Sequence, residues 1–243
     1  MNPQVATRPK HFAIRSDYRP NMVQITRDSD DSPDYWNARR IELASQFQYD
    51  VYTHCRQLIE RHQLASVLDV GCGPGTKIRD LIAPICDDIT LIDQPSIREL
   101  AQRQVPNAKF LEIDLESCEE DLGRRFDLIV FADVIEHLLD PDNSVEFIRR
   151  HLSDRGFAVI STPEREILRG KNCLDSGNPA HVREWSAGEF KTYLQAQGLR
   201  VVDHLFLPQR RLAAWNRWAG QVFGPVVRRR VWHGCQAAVC KAN

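Results

Sequence analysis

Val67-Leu68-Asp69-Val70-Gly71-Cys72-Gly73-Pro74-Gly75-Thr76 is a short apolar run that passes into glycines at alternate positions. The pattern predicts a buried parallel strand, a tight turn and the start of a helix. Such a turn suits a ligand, because glycine accepts a positive φ and its missing Cβ lets a bound molecule lie on the backbone. In an open α/β sheet the turn falls outside the carboxyl end of the first strand, at the crevice where strand order reverses. The spacing narrows the ligand. A dinucleotide fingerprint is Gly-x-Gly-x-x-Gly, whereas here Gly75 comes one residue early and Thr76 stands in the final position. Nicotinamide and flavin dinucleotides are disfavoured accordingly.

The chain has 243 residues, the length of one α/β domain with extensions. Its 32 basic and 33 acidic residues leave a formal charge of -1, so there is no global field to draw in nucleic acid, which is not expected as a partner. Seven scattered cysteines contain no Cys-x-x-Cys pair and suggest neither a disulfide framework nor a zinc site. No clustered carboxylate or histidine motif demands a metal, and none is expected. No apolar run has signal-peptide or membrane-spanning character. A cytoplasmic protein is expected.

Residues 1–36 are polar and rich in Pro, Asp and Ser, and read as an N-terminal extension, either a mobile leader or a lid. Tyr35 and Trp36 precede a helical pattern over 38–62, with Ile41, Ala44, Phe47, Val51, Cys55, Leu58 and Ile59 on one face. The aromatic pair serves either as the hydrophobic contact at the helix start or as aromatic wall for a ligand. A helix is expected over 77–85. Strands at 67–70, 89–93 and 109–114 have an acid at or near their carboxyl ends: Asp69, Asp93 and Asp114. Asp93 lies about 18 residues beyond Gly75, where a carboxylate can accept two hydrogen bonds from a ribose diol. Asp93 could equally cap the helix expected over 95–104.

Asp69-Val70-Gly71-Cys72-Gly73-Pro74-Gly75 resembles the first motif of the class I methyltransferases that use S-adenosylmethionine (SAM). After a strand at 126–132, Asp133-Val134-Ile135-Glu136-His137-Leu138 resembles the fourth motif of a small-molecule branch that includes O-methyltransferases of ubiquinone biosynthesis. Thr162-Pro163 and His181-Val182-Arg183-Glu184-Trp185 strengthen the same likeness, which covers residues 65–200. It implies a Rossmann-like α/β fold, a seven-stranded mostly parallel sheet with helices on both faces, over 37–243. It also implies SAM as cofactor, S-adenosylhomocysteine as product and a small-molecule acceptor. The implied cofactor contacts are Asp69, Gly71, Cys72, Gly73 and Gly75 in the turn, with Asp93 and Gln94 at the ribose. Asp114 and the Leu115 backbone N–H would meet the adenine, and Ala132 and Asp133 would face the methyl group. In this family a variable N-terminal segment commonly covers the substrate.

A long polar loop at 163–182 follows the strand at 157–162 and reads as an active-site loop. It leads to His181, the first candidate for a general base, since an imidazole can take a hydroxyl proton near neutral pH. His137 is the second candidate. Tyr35, Trp36 and Arg183 are candidate substrate contacts, and Arg183 could instead pair with Glu184. Ser186 and Glu189 fit a capping box for a helix over 187–197. Strands are expected at 200–207 and 232–241. Between them, 209–230 carries Arg210, Arg211, Arg217, Arg228, Arg229 and Arg230 with no acid, interleaved with Leu212, Trp215, Trp218, Val222 and Phe223. This reads as a basic amphipathic insertion, either packed on the domain through its Trp face or lying on a membrane surface. A histidine base and the lack of an Asn/Asp-Pro-Pro-Tyr motif favour oxygen as the acceptor atom. The rival reading is a non-catalytic SAM-binding adaptor that uses the basic helix for a partner or membrane.

Overall fold

The computed structural model describes residues 12–22, 36–224, 226–227 and 229–243; Tyr35 lies outside them. Two helices, α1 (Ala38–Gln46) and α2 (Tyr49–His62), lead into strand β1 (Ser66–Val70). Then follow β2 (Asp88–Asp93), α3 (Arg98–Gln104), β3 (Lys109–Glu112), β4 (Phe126–Ala132), α4 (Asp142–His151), β5 (Leu152–Pro163) and α5 (Arg165–Arg169). The chain ends with α6 (Ala187–Ala196), β6 (Leu199–Leu207), α7 (Ala214–Phe223), α8 (Arg230–His233) and β7 (Cys235–Ala242).

The strands form one sheet in the order β3-β2-β1-β4-β5-β7-β6. The first five run parallel, and β7 runs antiparallel between β5 and β6. Because β1 feeds β2 on one side and β4 lies on its other side, the order reverses at β1, and the crevice opens at the carboxyl ends of β1 and β4. All five residues of β1 are buried, which is why apolar Val67, Leu68 and Val70 supply both faces of the strand. Alternate side chains point to opposite faces. Val67, Leu91, Leu128, Val130 and Val159 meet Val51, Cys55, Leu58 and Ile59 of α2. Leu68, Ile92, Ile129 and Phe131 meet Val145 and Ile148 of α4 and Phe190 and Leu194 of α6. Each fully buried aliphatic side chain contributes about 1.5–3 kcal/mol.

Four expectations are corrected by the tertiary structure. The helix over 38–62 is broken: Phe47 is extended and Gln48 is left-handed, at φ 57°. The chain leaving β6 crosses there. The Gln48 N–H donates to the Gln209 carbonyl at 3.0 Å, and the Arg211 N–H to the Gln46 carbonyl at 2.8 Å. Helical periodicity continues through the break, but these cross-chain bonds take the backbone groups that a helix would use. The helix over 77–85 is a short π-helical turn, Ile78–Ile82, closed by the Ala83 N–H on the Ile78 carbonyl at 2.8 Å. The seventh strand begins at Cys235, not 232, because Arg230–His233 coil into α8. The helix within 209–230 is only ten residues long, and its Trp215 and Trp218 are exposed to solvent, not packed on the domain.

The loop 163–182 opens with α5, where the Glu164 side chain caps the helix by accepting from the Ile167 N–H at 2.6 Å. Residues 12–22 lie along it. The Arg19 N–H donates to the Leu174 carbonyl at 2.7 Å and the Asn21 N–H to the Val182 carbonyl at 2.8 Å. The Tyr18 hydroxyl accepts from the Glu184 N–H at 2.9 Å. Part of the N-terminal extension is thus strapped to the loop that carries His181. Among the described residues no helix is long and apolar enough to cross a membrane.

Candidate active site

A cavity of about 410 Å³ opens at the sheet crevice, within the range of about 300–1,000 Å³ usual for small-molecule sites. One wall is the turn after β1. Gly71 and Gly73 have φ of 77° and 54°, a region costly to any side chain. A Cβ on Gly71 would lie 2.4 Å from Val134 Cγ2, and one on Gly73 would reach the Trp36 ring at 3.5 Å. Trp36 therefore stands over the glycine turn as cavity wall. Cys72, Ala132 and Asp133 line the same space.

Asp93 sits one hydrogen bond behind this wall. Its Oδ2 accepts the Gly73 N–H at 2.7 Å and its Oδ1 the Gln94 N–H at 2.8 Å. Burial pushes its carboxyl above the ordinary range, and these two N–H donors oppose the shift. Asp69 lies beneath the turn, fully buried, with the Tyr52 hydroxyl 3.0 Å from each oxygen. Burial raises its carboxyl to about 7 against the pull of Tyr52 and Lys77. Asp69 thus supports the turn and does not line the cavity. Asp114 lies past the end of β3 and its side chain accepts the Glu116 N–H at 3.0 Å. The Leu115 carbonyl accepts from the Ser144 hydroxyl. Neither these two residues nor Gln94 is on the cavity wall; they follow the neighbouring strand ends, beyond the turn.

The opposite wall starts where β4 ends. Asp133 is left-handed, at φ 62°, a conformation that costs a non-glycine residue about 1–3 kcal/mol and recurs at functional sites. Its N–H donates to the Ser161 carbonyl at 3.2 Å and its Oδ1 accepts from Gln48 Nε2 at 3.1 Å. Gln48 Oε1 accepts from the hydroxyl of Ser161 at 3.0 Å and from Cys235 Sγ at 3.1 Å. Gln48 therefore ties the break between α1 and α2 to β4, β5 and β7. Lys77, also on the wall, donates to the Ala44 carbonyl at 2.9 Å. Burial lowers its ammonium below the usual range, opposed by the charges of Asp69 and Asp133.

The turn Ile135–His137 carries the remaining groups. The Glu136 carbonyl accepts the Val182 and Arg183 N–H groups at 2.8 and 3.3 Å, which brings the end of the long loop against the turn. The His137 and His181 rings then meet edge to face with centroids 4.8 Å apart. His137 Nδ1 is 2.9 Å from the Ala180 carbonyl, so a neutral His137 is basic at Nε2. His181 Nδ1 is 2.8 Å from Glu184 Oε1, and its Nε2 is 2.8 Å from the Asn178 amide. The carboxylate on Nδ1 sets the tautomer, as in a Glu-His dyad. Glu136 is fully buried, and neither carboxylate oxygen has a hydrogen-bond partner. Burial, followed by the neighbouring Asp133, raises its carboxyl well above the ordinary range. Ligand atoms of Glu136, His137 and His181 lie within 4.8 Å of one another, a grouping that residues distant in sequence form only after folding.

Burial alone would raise the Glu184 carboxyl, but hydrogen bonds from His181 and Arg169 overcome it and hold the group at about 2. A carboxyl lowered from 4.5 in the folded state stabilises the fold above its ordinary value, and that stability is lost as pH falls from 4.5 to about 2. The amount is on the order of 3 kcal/mol. Thermal melts across this window should show the unmodified chain losing stability more steeply than Glu184→Gln; parallel curves would refute the assignment.

Arg183 does not reach an acceptor. The residue is 2% exposed, and its guanidinium donates to the Leu138 and Leu139 carbonyls, each at 2.8 Å. It does not pair with Glu184 either, whose partners are Arg169 and His181. The cations on the cavity wall are instead Lys77, Arg169 and Arg230. Gln48, Lys77 and Arg169 are absent from the sequence reading. Gln48 carries a signal, as a polar residue on the apolar stripe of 41, 44, 51 and 55.

A mostly parallel sheet with this order, a glycine turn at the point of reversal and an acid at the end of β2 define a Rossmann-like protein built around a nucleoside-containing cofactor. The methyltransferase-domain family model matches residues 31–204, and the chain belongs to that family, the class I SAM-dependent methyltransferases. The residues fit SAM: a turn that admits a ligand against its backbone, a carboxylate behind it and a cavity of suitable size.

A ubiquinone biosynthesis O-methyltransferase of Pseudomonas fluorescens is 27% identical over 169 residues, 66% of this chain and 67% of that protein. A probable SAM-dependent methyltransferase of Mycobacterium tuberculosis is 30% identical over 145 residues, 57% of this chain and 50% of its own length. The chain thus spans from half to two thirds of these relatives. The solved structure of an N-methyltransferase from Bradyrhizobium japonicum with S-adenosyl-L-homocysteine shares the fold. Its TM-score is 0.56 and its identity 19%, over 87% of this chain and 93% of that one.

Proposed function

We propose that this enzyme transfers the SAM methyl group to an oxygen of a small-molecule acceptor. The observation that carries the reading is the His181–Glu184 pair beside His137, on the wall of the cavity that also holds the glycine turn. The name of the Pseudomonas relative supports oxygen as the acceptor atom.

Bound SAM supplies a methyl group made electrophilic by its sulfonium. The turn and Asp93 would hold the nucleoside, and Lys77 would offer a positive charge to the carboxylate of the amino-acid portion. His181 Nε2 exchanges its contact with Asn178 for one with the acceptor hydroxyl and takes the proton as the oxygen–carbon bond forms and the sulfur–carbon bond breaks. Glu184 stabilises the resulting imidazolium. Arg169 and Arg230 favour an acceptor with negative charge or dense oxygen substitution.

A second reading is favoured by the unpartnered Glu136 carboxylate. Glu136, His137 and His181 would hold a divalent cation, which would supply Lewis acidity toward an acceptor oxygen. Both histidines hydrogen-bond through Nδ1, the arrangement that orients Nε2 toward a metal.

Transfer of labelled methyl from SAM to catechol, carboxylate and amine acceptors, with chelator and with added manganese, tests both readings. Methylated hydroxyl product unaffected by chelator supports the base, and product that requires the cation supports the metal. Transfer only to amines refutes O-methylation, and SAM binding without transfer to any acceptor points to the adaptor.

A further inference from the structure

Helix α7 is amphipathic in the inverted sense for a soluble protein. Asn216, Arg217 and Gly220, at three- and four-residue steps, face the domain. Asn216 Oδ1 accepts from Trp232 Nε1 at 3.1 Å, and Arg217 reaches Asp50 at 3.5 Å. A Cβ on Gly220 would lie 3.1 Å from the Trp232 ring, so the helix seats closely through its small and polar side. Trp215, Trp218 and Val222, again at three- and four-residue steps, point the other way. Trp215 is 72% exposed and Trp218 62%. Exposed Phe223, Val226 and Val231 extend the apolar surface. A contiguous apolar surface of this kind marks an interaction site.

Charge decides the occupant. Residues 209–230 hold six arginines and no acid in a chain whose net charge is -1. Arg210 and Arg211 stack on Phe47 and Tyr49 at 4.4 and 4.3 Å, at one end of the patch, and Arg229 lies 5.7 Å over Trp232 at the other. Tryptophans on the outward face of a short helix, with arginines at its ends, match the interface between the headgroups and acyl chains of an anionic bilayer. A second copy of the chain would bring these like charges together across its twofold axis.

We propose that the segment from Leu212 to Val231 is a peripheral membrane anchor that seats the enzyme on anionic lipid. The inference does not depend on the choice of acceptor atom. It has a consequence for access: Gln209, just before the segment, and Arg230, near its end, both line the cavity, so docking brings the cavity wall to the headgroups. An amphiphilic acceptor could then be methylated without leaving the bilayer.

The test uses the full chain and vesicles of phosphatidylcholine alone or mixed with phosphatidylglycerol. The expected result is co-sedimentation with the mixed vesicles, a blue shift of tryptophan emission, and loss of both effects at high salt. Trp215→Ser/Trp218→Ser, at exposed positions, should lower partitioning about tenfold or more while leaving SAM titration and circular dichroism unchanged. No partitioning to mixed vesicles, or equal partitioning to both kinds, would overturn the proposal. So would a dimer in sedimentation velocity that the double substitution dissociates, because the patch would then be covered by a second copy. SAM titration in the same samples separates failure of this proposal from failure of the cofactor site.

Discussion

Asp93→Ala should lose about 10²- to 10⁴-fold in affinity for SAM and for S-adenosylhomocysteine. The carboxylate stands at the end of β2, where it faces the backbone of Gly73 across 2.7 Å. A ribose diol needs an acceptor with two oxygens in one plane, and each hydrogen bond to a charged group contributes about 1.5–3 kcal/mol. Removal also releases the turn, since the Gly73 N–H loses its partner. Asp93→Asn keeps one acceptor oxygen and should fall between the two. Calorimetric titration of the three proteins with both ligands, with circular dichroism as the control for folding, measures the effect. Unchanged affinity in Asp93→Ala would place the ribose elsewhere.

His181→Ala should lower kcat by about 10²- to 10⁴-fold, the usual contribution of general acid–base catalysis, while SAM affinity stays at the unmodified value. The two effects separate because His181 and the glycine turn lie on different walls of the cavity. Glu136→Gln divides the two catalytic readings. It preserves the shape of a buried side chain without hydrogen-bond partners, so under the base reading kcat changes little. Under the metal reading it removes an anionic ligand and the response to manganese with it. Retained kcat in His181→Ala at every acceptor tested would exclude the residue from both roles.

Different parts of this architecture were legible for different reasons. The runs 67–70, 89–92 and 126–132 read as buried strands because a parallel strand covered on both faces is apolar at most of its positions and not only at alternate ones. Ser186 and Glu189 announced α6, and the Glu189 carboxylate does accept the Ser186 N–H at 2.8 Å. The break at Phe47 and Gln48 was not legible. No glycine or proline marks it, and its cause is the chain at Gln209 to Arg211, more than 160 residues away. Asp69 illustrates the same limit. Its position at a strand end is visible in the sequence, but only the Tyr52 hydroxyl above it shows that the carboxylate lies under the turn.

By itself the sequence determined the family, the strand that opens the cofactor crevice and the glycines that let a ligand approach, since these depend on residue type and spacing along a few consecutive positions. Which polar groups meet in the cavity was decided by tertiary structure. His137 and His181 become neighbours because the Glu136 carbonyl holds the end of the long loop, and Arg183 is consumed by two backbone carbonyls that no motif places beside it. The outward turn of Trp215 and Trp218 follows from the fit of Gly220 against Trp232. A helical period identifies two faces of α7, and only packing selects which of them meets solvent.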